Sequence, residues 1–482
     1  MQVIFVAAEV APFSASSELA EVVSQLAQSL AEEGTTVTIV APLLRGISPE
    51  RFSLARRLIE LQIPVGGESV KVGVLEGRLP SSNVPVVFLD QPGIFTDATI
   101  SAGTAGGHRA AYLLAQGALE LCPAYRWQPE IFHAVGWPAG LLPLLAARRY
   151  GDGPGSPTRV FTFDDASATG CFPAAILDEL ALGREDFHPD GLELHGQVSL
   201  LKAGVRWAHA ATTMSQTLAE RLPTEAVGGG LHGFFAAHRA RLWGITPGLN
   251  LGAYNPASDH RLAARYDAKD LTGREACKRA LQRDAGLPLR ADAALVGVAA
   301  PTADQEGMGL FLAAARDWHG LRAQFVVQGP LDEAALAAVR QWVSASPEQV
   351  AYRERSDDLA LRQLLAGADF LLVPDRRVTT RTQQLLSKAL HYGAVVIAHD
   401  FAGVYDDTII VWDDPSLTGT SFLFPELTAE ALLVETQRAL ASFDKDSFAD
   451  LRRNGMRQEP SWGLAARRYA DLYRRVRPQP QS

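Results

Sequence analysis

Residues 2–45, QVIFVAAEVAPFSASSELAEVVSQLAQSLAEEGTTVTIVAPLLR, hold the pattern from which the rest of the chain can be read. The run QVIFVAAEV is short, apolar and rich in β-branched residues, which predicts a buried strand. Beyond it, Leu19, Val22, Val23, Leu26, Leu30 and Ala31 fall on one face of a helix. TTVTIVAPLL predicts a second strand, so the segment is one β–loop–α–β unit. In open α/β sheets a ligand sits at the carboxyl ends of the strands, where the loop before this helix falls. That loop holds Ala15, Ser16, Ser17 and Glu18, with no lysine, no glycine and a carboxylate at the helix start. Such a carboxylate suits the helix dipole and repels an anion.

With 482 residues the chain predicts two large domains. Its net charge of −9 argues against nucleic acid as a main partner, since such proteins favour a basic face. Cys122, Cys171 and Cys277 lie far apart, which predicts a reducing compartment without disulfides or a zinc site. The start MQVIFVAAEV lacks a basic leader and is expected to be a strand, not a signal peptide. No apolar run reaches the roughly 18 residues of a membrane span. A cytoplasmic protein without membrane contact is expected.

Strand-like runs VPVVFLD, EIFHAV, RVFTF and AATTMS alternate with helical stretches AGLLPLLAARRY and ELHGQVSLLKAGVRWAHA, the rhythm of a parallel sheet covered by helices. GDGPGSPTR at 151–159 is a turn-rich loop. Periodicity lapses in WGITPGLNLGAYNPASD, then restarts with ALVGVAAP, a helix through LFLAAARDW, AQFVVQGP, EAALAAVRQWV, QVAYRE, DFLLVP and AVVIAH. We therefore place one Rossmann-like domain at 1–245, a second at 246–460, and an amphipathic helix with a disordered tail at 461–482. Two doubly wound halves joined by a hinge put a cleft between them.

Several stretches resemble the bacterial glycogen synthases and plant starch synthases, in order and over essentially the whole chain. They are AAEVAPF…LAEVV, ELHGQVSLLKAGVRWAHAATTMSQT, LHGFFAAHRARLWGITPGLNLGAYNP, GTSFLF and SWGLAARRY. The resemblance implies an α/β architecture of GT-B type, with two doubly wound Rossmann-like domains facing across a cleft. It also implies a retaining glucosyltransferase that uses ADP-glucose, extends an α-1,4-glucan and needs no metal or other cofactor.

Without a metal, the leaving diphosphate must be neutralised by protein cations and backbone dipoles. The family's S-R-L-x-x-Q-K-G supplies an arginine and a lysine. Here the stretch is Ala300-Pro301-Thr302-Ala303-Asp304-Gln305-Glu306-Gly307, so Pro301 stands for the arginine and Glu306 for the lysine. Ala15 matches the lysine of the family's K-T-G-G-L, and Ser17 and Glu18 its glycines, which permit close backbone approach. The family's H-x-H-D-W-H reads His133-Ala134-Val135-Gly136-Trp137-Pro138, with Val135 and Pro138 at degenerate positions. T-V-H-N reads Thr162-Phe163-Asp164-Asp165, placing Asp164 where a histidine is expected beside the sugar. No acidic residue lies between Asp375 and Asp400, where a donor-recognising glutamate is expected.

One lost charged contact typically costs about 3 kcal/mol, or about 100-fold in rate. Several such losses predict no catalytic residue and a pseudoenzyme, binding α-glucan or an active enzyme of glycogen metabolism. The alternative is an active, diverged glycosyltransferase whose Arg376, Arg377 and Arg381 form a substitute diphosphate clamp. Asp164 and Asp165 follow a strand end and are candidate acid/base or nucleophilic groups for another reaction, with a merely solvated pair as the default. Lys202 is a candidate ligand contact in a family-like segment whose default is a helix-surface residue, and Trp137 is a candidate sugar platform that reads rather as core or cleft wall. The eleven histidines show no metal-ligand spacing.

Overall fold

In the computed structural model the described residues are all except 81, 301–304, 316, 376–378, 402–408, 459 and 478–482, and the side chains of 305 and 306. The chain divides into two compact units, the first Met1–Gly248 together with Trp462 onward, the second Leu249–Ser461.

The first unit is built on nine strands. In chain order they begin β1 (Gln2–Ala7), β2 (Thr36–Pro42), β3 (Ala55–Val65), β4 (Glu68–Arg78), β5 (Pro85–Asp90), β6 (Ile131–Val135) and β7 (Thr158–Thr162). β8 (Cys171–Pro173), β9 (Glu193–Leu194) and β10 (Gln197–Ser199) form a separate small sheet, and β11 (Ala210–Thr213) and β12 (Leu242–Gly244) return to the main one. Its order is β12-β11-β7-β6-β1-β2-β5-β4-β3. Parallel pairing holds from β12 to β5, and the β5–β4 and β4–β3 pairings that complete the sheet are antiparallel. β1 is central, so Val3 to Val6 are wholly buried between helix layers and the strand is apolar on both faces.

The segment ELHGQVSLLKAGVRWAHA corrects the sequence reading. Only Leu200–Trp207 is helical, and its first half is the β9–β10 hairpin turning on His195 and Gly196, both with positive φ. Helix Trp462–Arg475 is not a separate appendage but part of the first unit. It packs against helix Leu19–Glu32, and Tyr469 and Tyr473 enter the core. The expected disordered tail lies outside the described residues from 478 on.

In the second unit β13 (Ala294–Ala299), β14 (Ala323–Gln328), β15 (Val350–Arg353), β16 (Phe370–Val373), β17 (Val395–His399) and β18 (Ser421–Phe424) form an all-parallel sheet ordered β15-β14-β13-β16-β17-β18. The helix expected through LFLAAARDW starts earlier, at Gln305, and ends at Ala313.

Candidate functional site

In the first unit the chain winds outward from β1 in both directions, through β2 and through β6. The loops after β1 and β6 therefore part at the carboxyl end of the sheet, the usual position for a ligand. A cavity of about 220 Å³ opens there, with Glu9, Ser17, Thr99, Trp137, Asp164 and Asp165 among its lining.

Glu9 is 6% exposed, which a carboxylate tolerates only with several donors. It accepts hydrogen bonds from the backbone N–H of Ser16 (2.8 Å) and Ser17 (2.9 Å), from both serine hydroxyls, and from Thr99 Oγ1 (2.8 Å). Two successive amides at the start of a helix are the groups a phosphate loop presents to an anion. Here an internal carboxylate takes them. Ala15 is exposed on the same loop and does not line the cavity.

On the far wall, Asp164 and Asp165 follow the end of β7. Asp165 accepts from the Ser167 amide and hydroxyl, both at 2.7 Å, which closes a tight turn. Trp137 opens the short helical turn Trp137–Ala139, and its ring lies against Gly170, where a Cβ would stand 2.4 Å away. It thus forms a wall of the cavity, with Pro138 beside it and Val135 buried at the end of β6. The described lining has three carboxylates and no lysine, arginine or histidine.

Lys202 is not on a helix surface, as its sequence position suggested. It is 2% exposed, its Nζ donates to the carbonyls of Pro189 (2.5 Å) and Glu193, and it lies 4.8 Å above the Phe234 ring. Burial lowers its pKa. The β9–β10 segment wraps over the helix and consumes this ammonium. His133, kept from the family motif, is also internal. Nδ1 meets Tyr473 Oη and Nε2 meets Thr162 Oγ1, each at 2.7 Å, and burial holds the ring neutral with a pKa of about 3.

The second unit's winding reverses at β13 and β16, after which Pro301 and Arg376–Arg377 follow in sequence. These three residues lie outside the described ones, and Glu306 is placed only as backbone of helix Gln305–Ala313. Arg381 is in the first turn of helix Thr380–His391, its Nη2 3.4 Å from the Ala300 carbonyl just past β13. Among the described residues no three His, Cys, Asp or Glu side chains are grouped to hold a metal ion, and no helix is long and apolar enough to cross a membrane.

Glu9 and Thr99 were missed in the sequence. A lone acidic residue just past a wholly apolar strand was the available signal, since it must be either solvated or held by many donors.

Two Rossmann-like units in one chain, each with a switch point at the carboxyl ends of its strands, are the architecture of the GT-B fold. The structure matches the catalytic domain of starch synthase IV from Arabidopsis thaliana, solved bound to ADP and acarbose. The TM-score is 0.86 with 25% identity, covering 99% of this chain and 100% of that one. Sucrose-phosphate synthase from Thermosynechococcus elongatus shares the fold, with a TM-score of 0.58, 17% identity and 99% of each chain covered. The family model for the starch synthase catalytic domain matches residues 2–237. Glycogen synthase of Anaeromyxobacter dehalogenans is 35% identical over 489 residues, covering 99% of this chain and all of the relative, and that of Myxococcus xanthus is 34% identical over 488, covering 98% and 99%. The chain belongs to the glycogen and starch synthase family.

Proposed function

We propose that this chain is a catalytically inactive member of its family, acting in the cytoplasm as an α-glucan-binding or regulatory partner in glycogen metabolism. The observation that carries this reading is the cavity whose described lining includes Glu9, Asp164 and Asp165 and no lysine, arginine or histidine. A carboxylate about 4 Å from one negative charge opposes it by about 4 kcal/mol at an effective dielectric constant of about 20, so a lining of this kind disfavours a diphosphate. The same groups suit a neutral polyol, because carboxylates accept from sugar hydroxyls while an indole such as Trp137 offers an apolar face. Purified protein should transfer no glucose from ADP-glucose or UDP-glucose to glycogen, and should be retarded in a native gel containing glycogen. Radiolabel incorporation above a vector-only control would overturn the inactive reading, and unretarded migration would remove the glucan.

One observation favours the alternative of a diverged, active transferase. Arg381 stands beside the end of β13, on the element that follows Arg376 and Arg377 in sequence. Under that reading one nucleotide sugar raises the melting temperature, and the shift vanishes in Arg376→Ala/Arg377→Ala. At 100 times its dissociation constant a ligand stabilises by about 2.7 kcal/mol, which such a scan resolves.

A further inference from the structure

The first unit has a second and larger cavity, of about 740 Å³, that shares no lining residue with the one already described. It opens where the β3–β4 hairpin meets the end of helix Gly107–Tyr125 and the loop around Phe52. Its volume lies within the range of small-molecule sites.

Charge and aromatic surface converge in it. Arg51, Arg57 and Arg78 line the cavity, and Glu76 is the one carboxylate among its described lining residues. Glu76 is already engaged, since Arg57 and the Tyr125 hydroxyl both donate to it. That leaves Arg51, whose guanidinium lies 5.1 Å from its neighbouring Phe52 ring, and Arg78, whose Nη1 donates to the Asn83 carbonyl at 2.7 Å. Among the described residues neither has a carboxylate within ion-pairing distance. A chain of net charge −9 thus gathers at one concavity two guanidinium groups that form no ion pair among the described residues, with Arg78 within electrostatic reach of Glu76. Beside them Arg126 takes a left-handed conformation (φ 56°), ending the helix so that Trp127 folds back and stacks on Tyr125, with centroids 4.7 Å apart. The stacked pair is a preformed flat surface held in place by Tyr125 on Glu76.

We propose that this cavity binds a small phosphate ester carrying a ring, a nucleoside or sugar phosphate, with the phosphate on Arg51 and Arg78 and the ring against Trp127. Guanidinium forks match phosphate oxygens, and an aromatic face accepts either a base or the apolar face of a sugar. The site is independent of the proposed loss of catalysis. Phe13, in the loop that carries Ser16 and Ser17, lines this cavity and packs on Phe52 with centroids 4.7 Å apart, so an occupant touches the segment that shapes the other site.

Isothermal titration of the full chain with AMP, glucose 1-phosphate, inorganic phosphate, adenosine and maltotriose tests this. Saturable binding of AMP or of glucose 1-phosphate is expected, and which of the two binds tells the nucleotide from the sugar source. Affinity should fall by at least about tenfold in Arg51→Ala/Arg78→Ala and in Trp127→Ala, with wild-type circular dichroism. The arginine pair is exposed, so its removal tests binding without unfolding the unit. No saturable heat with either ester would overturn the proposal. So would binding unchanged in the arginine variant, inorganic phosphate as tight as the esters, or adenosine or maltotriose as tight as their phosphorylated counterparts.

Discussion

Replacing His133 by glutamine should remove about 2 kcal/mol of the stability this protein loses between neutral pH and about pH 5. The ring is wholly buried between Thr162 and Tyr473, and its pKa falls from the ordinary 6.5 to about 3 because burial disfavours the charged form. A histidine held neutral in the fold takes up a proton only on unfolding. Its contribution is therefore fully present above pH 6.5 and is lost as the pH falls from 6.5 toward 3. Within that window the slope is about 1.4 kcal/mol per pH unit, so acidifying to about pH 5 costs about 2 kcal/mol from this residue alone. His133→Gln should lose about 1–3 kcal/mol near neutrality, because one of two buried hydrogen bonds is left poorly made. Its stability should then fall about 2 kcal/mol less than wild type on going to about pH 5. His209, also lowered by burial, to about 4, remains in both proteins and cancels in the comparison. Urea unfolding at both pH values measures the difference. Equal acid losses in the two proteins would refute the reasoning, and would mean that the ring is solvated or charged in the fold.

Two further outcomes bear on the site. Lys202→Met should lower stability by about 2–3 kcal/mol, because the carbonyls of Pro189 and Glu193 lose their donor, while glycogen retardation of the folded protein stays unchanged; an unaltered thermal midpoint would show that the ammonium is not held there. Ala15→Lys, Pro301→Arg and Glu306→Lys together, in an Arg51→Ala/Arg78→Ala background that silences the second cavity, should raise ADP affinity detectably by titration yet give no glucose transfer. Full transfer by that variant would show that only charge had been lost, and not the backbone geometry of Ser17 and Glu18.

Local pattern carried much of the fold. The apolar strand at Gln2–Ala7, the helix face of Val22, Val23, Leu26 and Leu30, and the restart at Ala294 each follow from periodicity alone. Elsewhere a local signal was outvoted. In ELHGQVSLLKAG the leucine and valine spacing reads as helical, but His195 and Gly196 both adopt positive φ and turn a two-residue hairpin. The β3–β4 hairpin was missed in the sequence, although Gly66 and Gly67, both with positive φ between alternating residues, were the available signal. The destination of the last helix was not legible, since its anchor is a bond between His133 and Tyr473, 340 residues apart. Lys202 misled for the same reason, as its burial depends on a segment folded over it and not on its own helix.

The site separates two demands that a family pattern mixes. Gly204 is required by packing, since a Cβ there would stand 2.6 Å from the Phe161 ring, and Gly307 by a carbonyl of Pro374 at 2.2 Å. Those glycines serve the fold whatever the cavity holds, which is why the stretches that contain them read so clearly as family. Positions 15 to 18 carry no such packing demand. Ala15, Ser16 and Ser17 are exposed, so lysine and glycine can be absent there without disturbing a core. What the loop does need is a partner for the Ser16 and Ser17 amides, and Glu9 supplies it. An anion arriving at this loop must therefore displace a buried carboxylate from its donors, as well as overcome its charge. Restoring one lysine answers the second requirement and leaves the first unmet.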